Sequence, residues 1–520
     1  MLRRTVLQGM GAGLALAPLA GAQTVRQGRW LRLETANFVV YSAASEARTR
    51  EEIAAVEGFH ALLSKIIPRK QPSTLKLPIY MTGNDEDFRD VAPWADRDVM
   101  GFVHYSAEQI LAVSSLHKNV ERQRDMQKNV RAMDARTVLL HEYAHHYIMA
   151  NNRVTYPSWY NEGIAEFLST ADFVEDGVLV GKFTAARATW LANAPWLNIT
   201  IFLTANPNEL SNEKQGQFYA QAWLAAHYLF QAPERAEGFD RYITALHDGA
   251  DPMAAFEPAF GITAQAFDKE LRDYKNKPLK FGKVAGITAN ASIEMKGERL
   301  PVAADNLLMP LANVSCARPT RYAMGSVAAI RNQPRKLEAD PFAIRARATA
   351  EIWYGDLGEA RKLLDRLLVT DTQNAETQHL SGLCDLRAAY RTKDAALFKK
   401  ARGAFASAQK IDATRANSLF RYVECGVQEA GGRFDDHFAD VAFMTYRLAP
   451  QVDGYAQALA LALIQQKRFA DAVLVLRPQI ADSHDSNKAL PQALMEAAKA
   501  EKEPAFFWPE SAAAIDETDD

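Results

Sequence analysis

Val138-Leu139-Leu140-His141-Glu142-Tyr143-Ala144-His145-His146-Tyr147 contains His-Glu-x-x-His in an apolar or uncharged setting. On a helix, positions i and i+4 lie one turn apart on the same face, so His141 and His145 point two imidazoles at one ion. Zinc takes nitrogen ligands at about 2.0–2.1 Å and prefers four-coordinate geometry, which two histidines a turn apart half fill. Glu142 sits beside the first ligand, where its carboxylate reaches a metal-bound water without being a ligand itself. That is the arrangement of a zinc hydrolase with a carboxylate general base.

Working outward, a third ligand is needed. Pro157-Ser158-Trp159-Tyr160-Asn161-Glu162-Gly163-Ile164-Ala165-Glu166-Phe167 reads as a second helix beginning near Trp159. Residues 146–161 separate His145 from Glu162, an interval that suits a helix ending at Asn151-Asn152, a loop through Pro157, and a return helix crossing the first. Glu162 is therefore the expected third zinc ligand. Glu166, one turn later on the same face, is placed to hydrogen-bond the outer nitrogen of a ligand imidazole.

His141-Glu142-x-x-His145 followed by Trp159-Tyr160-Asn161-Glu162-Gly163-x-Ala165 resembles the gluzincin metallopeptidases, specifically the peptidase MA-like family. The resemblance is specific over residues 137–168 and extends weakly from Trp30 to Tyr274. It implies an α+β zincin-like domain with zinc on His141, His145 and Glu162, and Glu142 activating the water. It also implies a tyrosine or histidine from a later helix donating to the developing oxyanion; Tyr219, in the helix expected from Gln217 to Leu229, is the candidate. The gap to the third ligand is shorter than in the thermolysin-like and aminopeptidase branches, so their substrate preferences do not transfer.

A chain of 520 residues is too long for one core and implies two or three domains. Hydrophobic and charged contents of 48% and 24% are those of a globular protein. A net charge of −3 supplies no electrostatic case for nucleic acid or an anionic membrane as partner. Cys316, Cys384 and Cys425 lie outside the zinc region; an odd, widely spaced set reads as buried thiols, with one bridge left open.

At the N-terminus, Arg3-Arg4 precede a mildly apolar run from Val6 to Leu19 that ends in Ala20-Gly21-Ala22. Residues 1–22 are read as an export signal, resembling the twin-arginine type, with a general secretory signal as the alternative. The mature chain is then periplasmic or extracellular. No later run has the ~18–20 apolar residues of a membrane span.

Residues 24–282 are assigned to the metallopeptidase-like domain. Phe38–Tyr41 and Leu75–Met81 read as strands around a helix from Ser45 to Ile67, and Gly101–Tyr105 with Gln109–Val113 as a hairpin. A strand just before the zinc helix is either an interior strand or the edge on which such peptidases pair substrate backbone. Lys118 to Arg136 is polar and leads to Asp134 as helix N-cap. Ala171 to Lys182 reads as a second hairpin, and residues 183–275 as helices. His104, His146 and His227 read as packed histidines.

Residues 283–339 show no clear period and are read as a connector with a strand at Ala291–Met295. From Asp340 the pattern is helical. Trp353-Tyr354-Gly355-Asp356-Leu357-Gly358-Glu359-Ala360 and Gln466-Lys467-Arg468-Phe469-Ala470-Asp471-Ala472 resemble the interior of tetratricopeptide repeats. Residues 340–505 are thus expected to form an all-α repeat domain whose concave surface takes a protein partner or part of the substrate, and residues 506–520 a frayed acidic tail.

The composite expectation is an exported zinc peptidase acting on peptide or protein substrates. Two other classes fit the sequence: a non-catalytic repeat scaffold with structural zinc, and a zinc hydrolase of a non-peptide cell-envelope amide. Glu142 opposes the scaffold, because a structural site needs a closed ligand set and no acid beside it.

Overall fold

Period-two alternation builds the central sheet. In the computed structural model, Leu31, Leu33, Phe38, Val40, Ile79, Met81 and Ala112 pack into a core on one face, while Trp30, Tyr80, Leu111 and Val113 pack on the other. The structure describes residues 27–67, 73–96, 99–117, 130–131, 134–151, 154–289, 293–316, 319–481 and 488–513. The export signal expected over residues 1–22 and most of Lys118–Arg136 lie outside them.

The six-stranded sheet combines β1 (Gln27–Glu34), β2 (Phe38–Ser42), β3 (Leu77–Thr82), β4 (Gly101–Tyr105) and β5 (Ile110–Ser115) with β11 (Lys296–Pro301). Its order is β11-β1-β2-β3-β5-β4, with β2, β3 and β5 parallel and the outer pairings antiparallel. Parallel neighbours need a crossover, supplied between β2 and β3 by α1 (Glu46–Ile66), whose first turn is capped by Ser45 accepting from the Arg48 amide at 3.3 Å. Ile53, Val56, Phe59 and Leu62 of α1 cover the first face. Phe88 and Val91 of α2 (Asp85–Val91) cover the second.

Two small sheets flank the domain: β6 (Val130–Arg131) with β9 (Phe183–Thr184), and β7 (Asp172–Val174), β8 (Gly177–Val180) and β10 (Gly282–Ala285). The hairpin expected across Gly177 is β7–β8. His141, His145 and Glu162 lie on α3 (Ala135–Asn151) and α4 (Ser158–Ser169). Next come α5 (Ala185–Asn193), α6 (Ile199–Thr204), α7 (Asn212–Gln231), α8 (Ala236–His247), α9 (Pro252–Phe260) and α10 (Ala264–Lys275). The helix expected from Gln217 begins earlier, at Asn212. Trp159, Phe202, Phe218, Tyr242, Phe256 and Phe267 form a second core among these helices.

Residues 283–339 do more than connect. Of the strand expected at Ala291–Met295, residues 291–292 lie outside the described residues and 293–295 are not strand; the strand described is Lys296–Pro301, where as β11 it pairs with β1 and completes the sheet. Then α11 (Ala304–Val314) lays Leu308, Met309 and Ala312 on the sheet's second face, and α12 (Thr320–Arg331) packs on it. Val327 and Ile330 of α12 share a core with Ala343 and Ala346 of α13 (Pro341–Tyr354), so helical stacking starts before residue 340.

From there the chain is helical: α14 (Leu357–Thr370), α15 (Ala375–Thr392), α16 (Ala395–Ile411), α17 (Ala416–Glu429), α18 (Asp436–Leu448), α19 (Asp453–Gln465), α20 (Phe469–Ala481) and α21 (Ala489–Lys499). Each packs on the next across a short connection. All three cysteines are buried free thiols. Of the expected tail, residues 506–513 are docked rather than frayed, with Trp508 packed against Phe420 and stacked on Phe434; residues 514–520, which carry its acidic end, lie outside the described residues. Aromatic burial offsets the ordering entropy of the docked part.

Candidate metal centre

Two local devices aim the ligands. Asp134 caps α3 by accepting from the Thr137 amide at 2.7 Å. Pro157 opens α4, its carbonyl accepting from Tyr160 and Asn161, each at 3.0 Å. The close approach of α4 to α7 depends on Gly163, where a Cβ would collide with the Ala222 carbonyl. That contact fixes Glu162, one residue earlier.

Three ligand atoms converge. His141 Nε2 lies 3.1 Å from His145 Nε2, and Glu162 Oε2 lies 3.5 Å and 3.4 Å from the two. Ligands held about 2.0–2.1 Å from a tetrahedral ion stand about 3.3–3.4 Å apart. The triangle therefore fits one small cation. Its donors, two imidazoles and a carboxylate, suit zinc, and His145 and Glu162 are only 2% and 1% exposed. Around it, three carboxylates (Glu142, Glu162, Glu166) face one guanidinium, Arg187, among the described residues. A net negative site of this kind is what a divalent cation offsets.

Glu142 is half-buried beside His141 and makes no hydrogen bond or ion pair among the described residues. A carboxylate so placed is available to take a proton. Burial works against charging His141, but the Glu162 contact and the charges of Glu166, Glu162 and Glu142 outweigh it and raise its pKa.

Glu166 has two partners where one was expected. Its Oε1 stands 3.6 Å from His141 Nδ1, on the side expected from its position one turn after Glu162 but beyond hydrogen-bond reach. Both its oxygens also accept from Arg187 of α5, at 2.9 Å and 2.6 Å. Burial pushes the Glu166 carboxyl up, and Arg187 more than reverses it, so it stays ionised. Arg187 was missed in the sequence. The one available signal was a buried acid in α4 needing a cation, which does not say which cation.

Tyr219 joins the site through Arg187, whose guanidinium carbon lies 5.0 Å from the ring centroid. Burial, then the Glu162 charge, push the phenol up and keep it protonated, as a donor must be. Its hydroxyl makes no hydrogen bond among the described residues. His146 is packed, as expected: buried between Tyr105 and Tyr143, with a pKa lowered by burial to about 4. His227 is held by the Tyr274 hydroxyl at 2.8 Å.

No protein-family profile, curated protein or solved structure matches this chain. Among the described residues no helix is long and apolar enough to cross a membrane.

Proposed function

We propose that the chain is an exported zinc peptidase. The supporting observation is the His141–His145–Glu162 triangle with Glu142 beside it, half-buried and uncommitted to any other side chain. His141, His145 and Glu162 would hold the ion. Zinc there supplies Lewis acidity toward a carbonyl oxygen and lowers the pKa of water. Glu142 takes the proton from the attacking water and returns it to the leaving amine. Glu166, kept ionised by Arg187, orients the His141 imidazole from its Nδ1 side. Tyr219, kept protonated, donates to the oxyanion that develops as the carbonyl becomes tetrahedral. The fold class proposed is zincin-like, and the helical array is proposed as degenerate tetratricopeptide repeats. Export rests on the sequence of residues 1–22.

A paired measurement tests the assignment. Glu162→Gln should lose both zinc, by atomic emission, and hydrolysis of a peptide selected from an unbiased library. Glu142→Gln should keep zinc and fold, while turnover falls by about 10²–10⁴-fold. Full activity in Glu142→Gln refutes the mechanism. A zinc-bound wild type that cuts no peptide refutes the peptidase and favours the scaffold.

A further inference from the structure

Between β4 and β5 the chain turns at Ser106–Gln109, closed by the Ser106 amide donating to the Gln109 carbonyl at 3.0 Å. A hairpin turn is ordinarily solvated. This one is driven into the helical array. Ala107 sits in a core with Phe420, Val423, Tyr455 and Trp508. Its amide donates to Glu510 Oε2 at 2.6 Å, and its carbonyl accepts from the Tyr455 hydroxyl at 2.8 Å.

The next residue, Glu108, is a carboxylate only 6% exposed. Arg421 Nε donates to its Oε1 at 2.5 Å, and His379 Nε2 pairs with its Oε2 at 3.0 Å. Its carbonyl accepts from Asn417 Nδ2 at 3.2 Å. Arg421 in turn donates to Glu424 at 2.6 Å and to the Glu510 carbonyl at 2.8 Å. Helices α15, α17 and α19 and the docked tail thus grip two residues of one turn. Burying an ion pair adds little net stability over an apolar contact, and its best-attested use is to fix one register.

The same end of β4 leads to the metal centre. Tyr105, just before the turn, stacks on His146 with centroids 5.9 Å apart and rings 4° from parallel. Its hydroxyl lies 3.3 Å from His146 Nδ1. Tyr143 stacks on His146 with centroids also 5.9 Å apart, and its hydroxyl meets His60 Nδ1 of α1 at 2.5 Å. His146 follows the ligand His145 in the same helical turn.

We propose that the C-terminal helical array holds the metal centre in register, with Glu108 as the positioning residue: gripped by Arg421 and His379, it fixes the turn and, through Tyr105 and His146, the placement of His145. The inference rests on His141, His145 and Glu162 being metal ligands. At this point the array clamps the chain's own hairpin and tail beside an open cavity of about 600 Å³ lined by Glu108, His379, Asn417 and Tyr455.

The test uses the full chain with Glu108→Gln/Arg421→Met/Glu424→Gln, which removes the three mutually paired buried charges together, and Tyr455→Phe, which removes one hydrogen bond and is the variant to read if the first does not fold. Amide exchange of residues 101–115, zinc dissociation into a chelator, and the absorption spectrum of the cobalt-substituted protein are measured. The clamp predicts faster exchange confined to 101–115, zinc stoichiometry unchanged, and dissociation about 10–100-fold faster, as for other groups that orient a ligand. It also predicts a shifted cobalt spectrum, with smaller changes in the same direction for Tyr455→Phe. A merely structural role lowers the fraction of sites filled while leaving dissociation and spectrum of the filled sites alone; that result, or unchanged exchange at 101–115, overturns the proposal. If the wild type binds no zinc, the metal assignment falls, and exchange at residues 101–115 and 141–147 decides the clamp alone.

Discussion

Arg187→Met tests how the Glu166 carboxylate is kept charged. Glu166 is 5% exposed and receives two hydrogen bonds from one guanidinium, at 2.9 Å and 2.6 Å. Removing one partner of such a pair leaves an uncompensated buried charge, at about 3–5 kcal/mol. Loss of the cation over the Tyr219 ring adds about 0.5–1 kcal/mol. At about 2 °C per kcal/mol for a large domain, the melting temperature should fall by about 7–12 °C. The assay is thermal unfolding of metal-free protein, so that lost zinc binding does not enter through mass action. Glu166→Gln/Arg187→Met removes both charges and should recover to within about 1–2 kcal/mol of wild type. A single variant as stable as wild type, or a double variant as unstable as the single, refutes the ion pair as the origin.

Glu166→Gln should weaken zinc binding by about 10-fold in a chelator competition, because the His141 imidazole loses its anionic neighbour. Gly163→Ala drives a methyl group into the Ala222 carbonyl; overpacking of about 1–3 kcal/mol should lower the melting temperature and loosen zinc together, since Glu162 is the adjacent residue. The Glu108 carboxyl is held down at about 2, burial being outweighed by Arg421 and His379. Its contribution, about 3 kcal/mol, is complete above the unfolded value of about 4.3 and is lost as pH falls through the folded one. Urea midpoints of Glu108→Gln should therefore show a flatter acid limb than wild type, and an identical limb refutes the assignment.

The features legible in the sequence are those whose partners lie within a turn or two. His141 and His145 share a face by the pitch of one helix, and Glu162 reaches them because α3, a short loop and α4 form one local unit. Phe38–Tyr41 and Leu75–Met81 read as strands from their own short apolar runs, whereas β1, which is fixed by β2 and β11, does not. Ser45 and Asp134 mark helix starts because a cap serves amides two or three residues ahead. Tertiary structure decided the rest. β11 pairs with β1 across more than half the chain, and its polar sequence carries no alternation to betray it. Arg187 meets Glu166 from a separate helix. Arg421 grips Glu108 from 313 residues away. A buried acid announces that some cation must compensate it, but any arginine in 520 residues satisfies that requirement on paper. Only the packing of the helices around the sheet brings one of them within hydrogen-bonding distance.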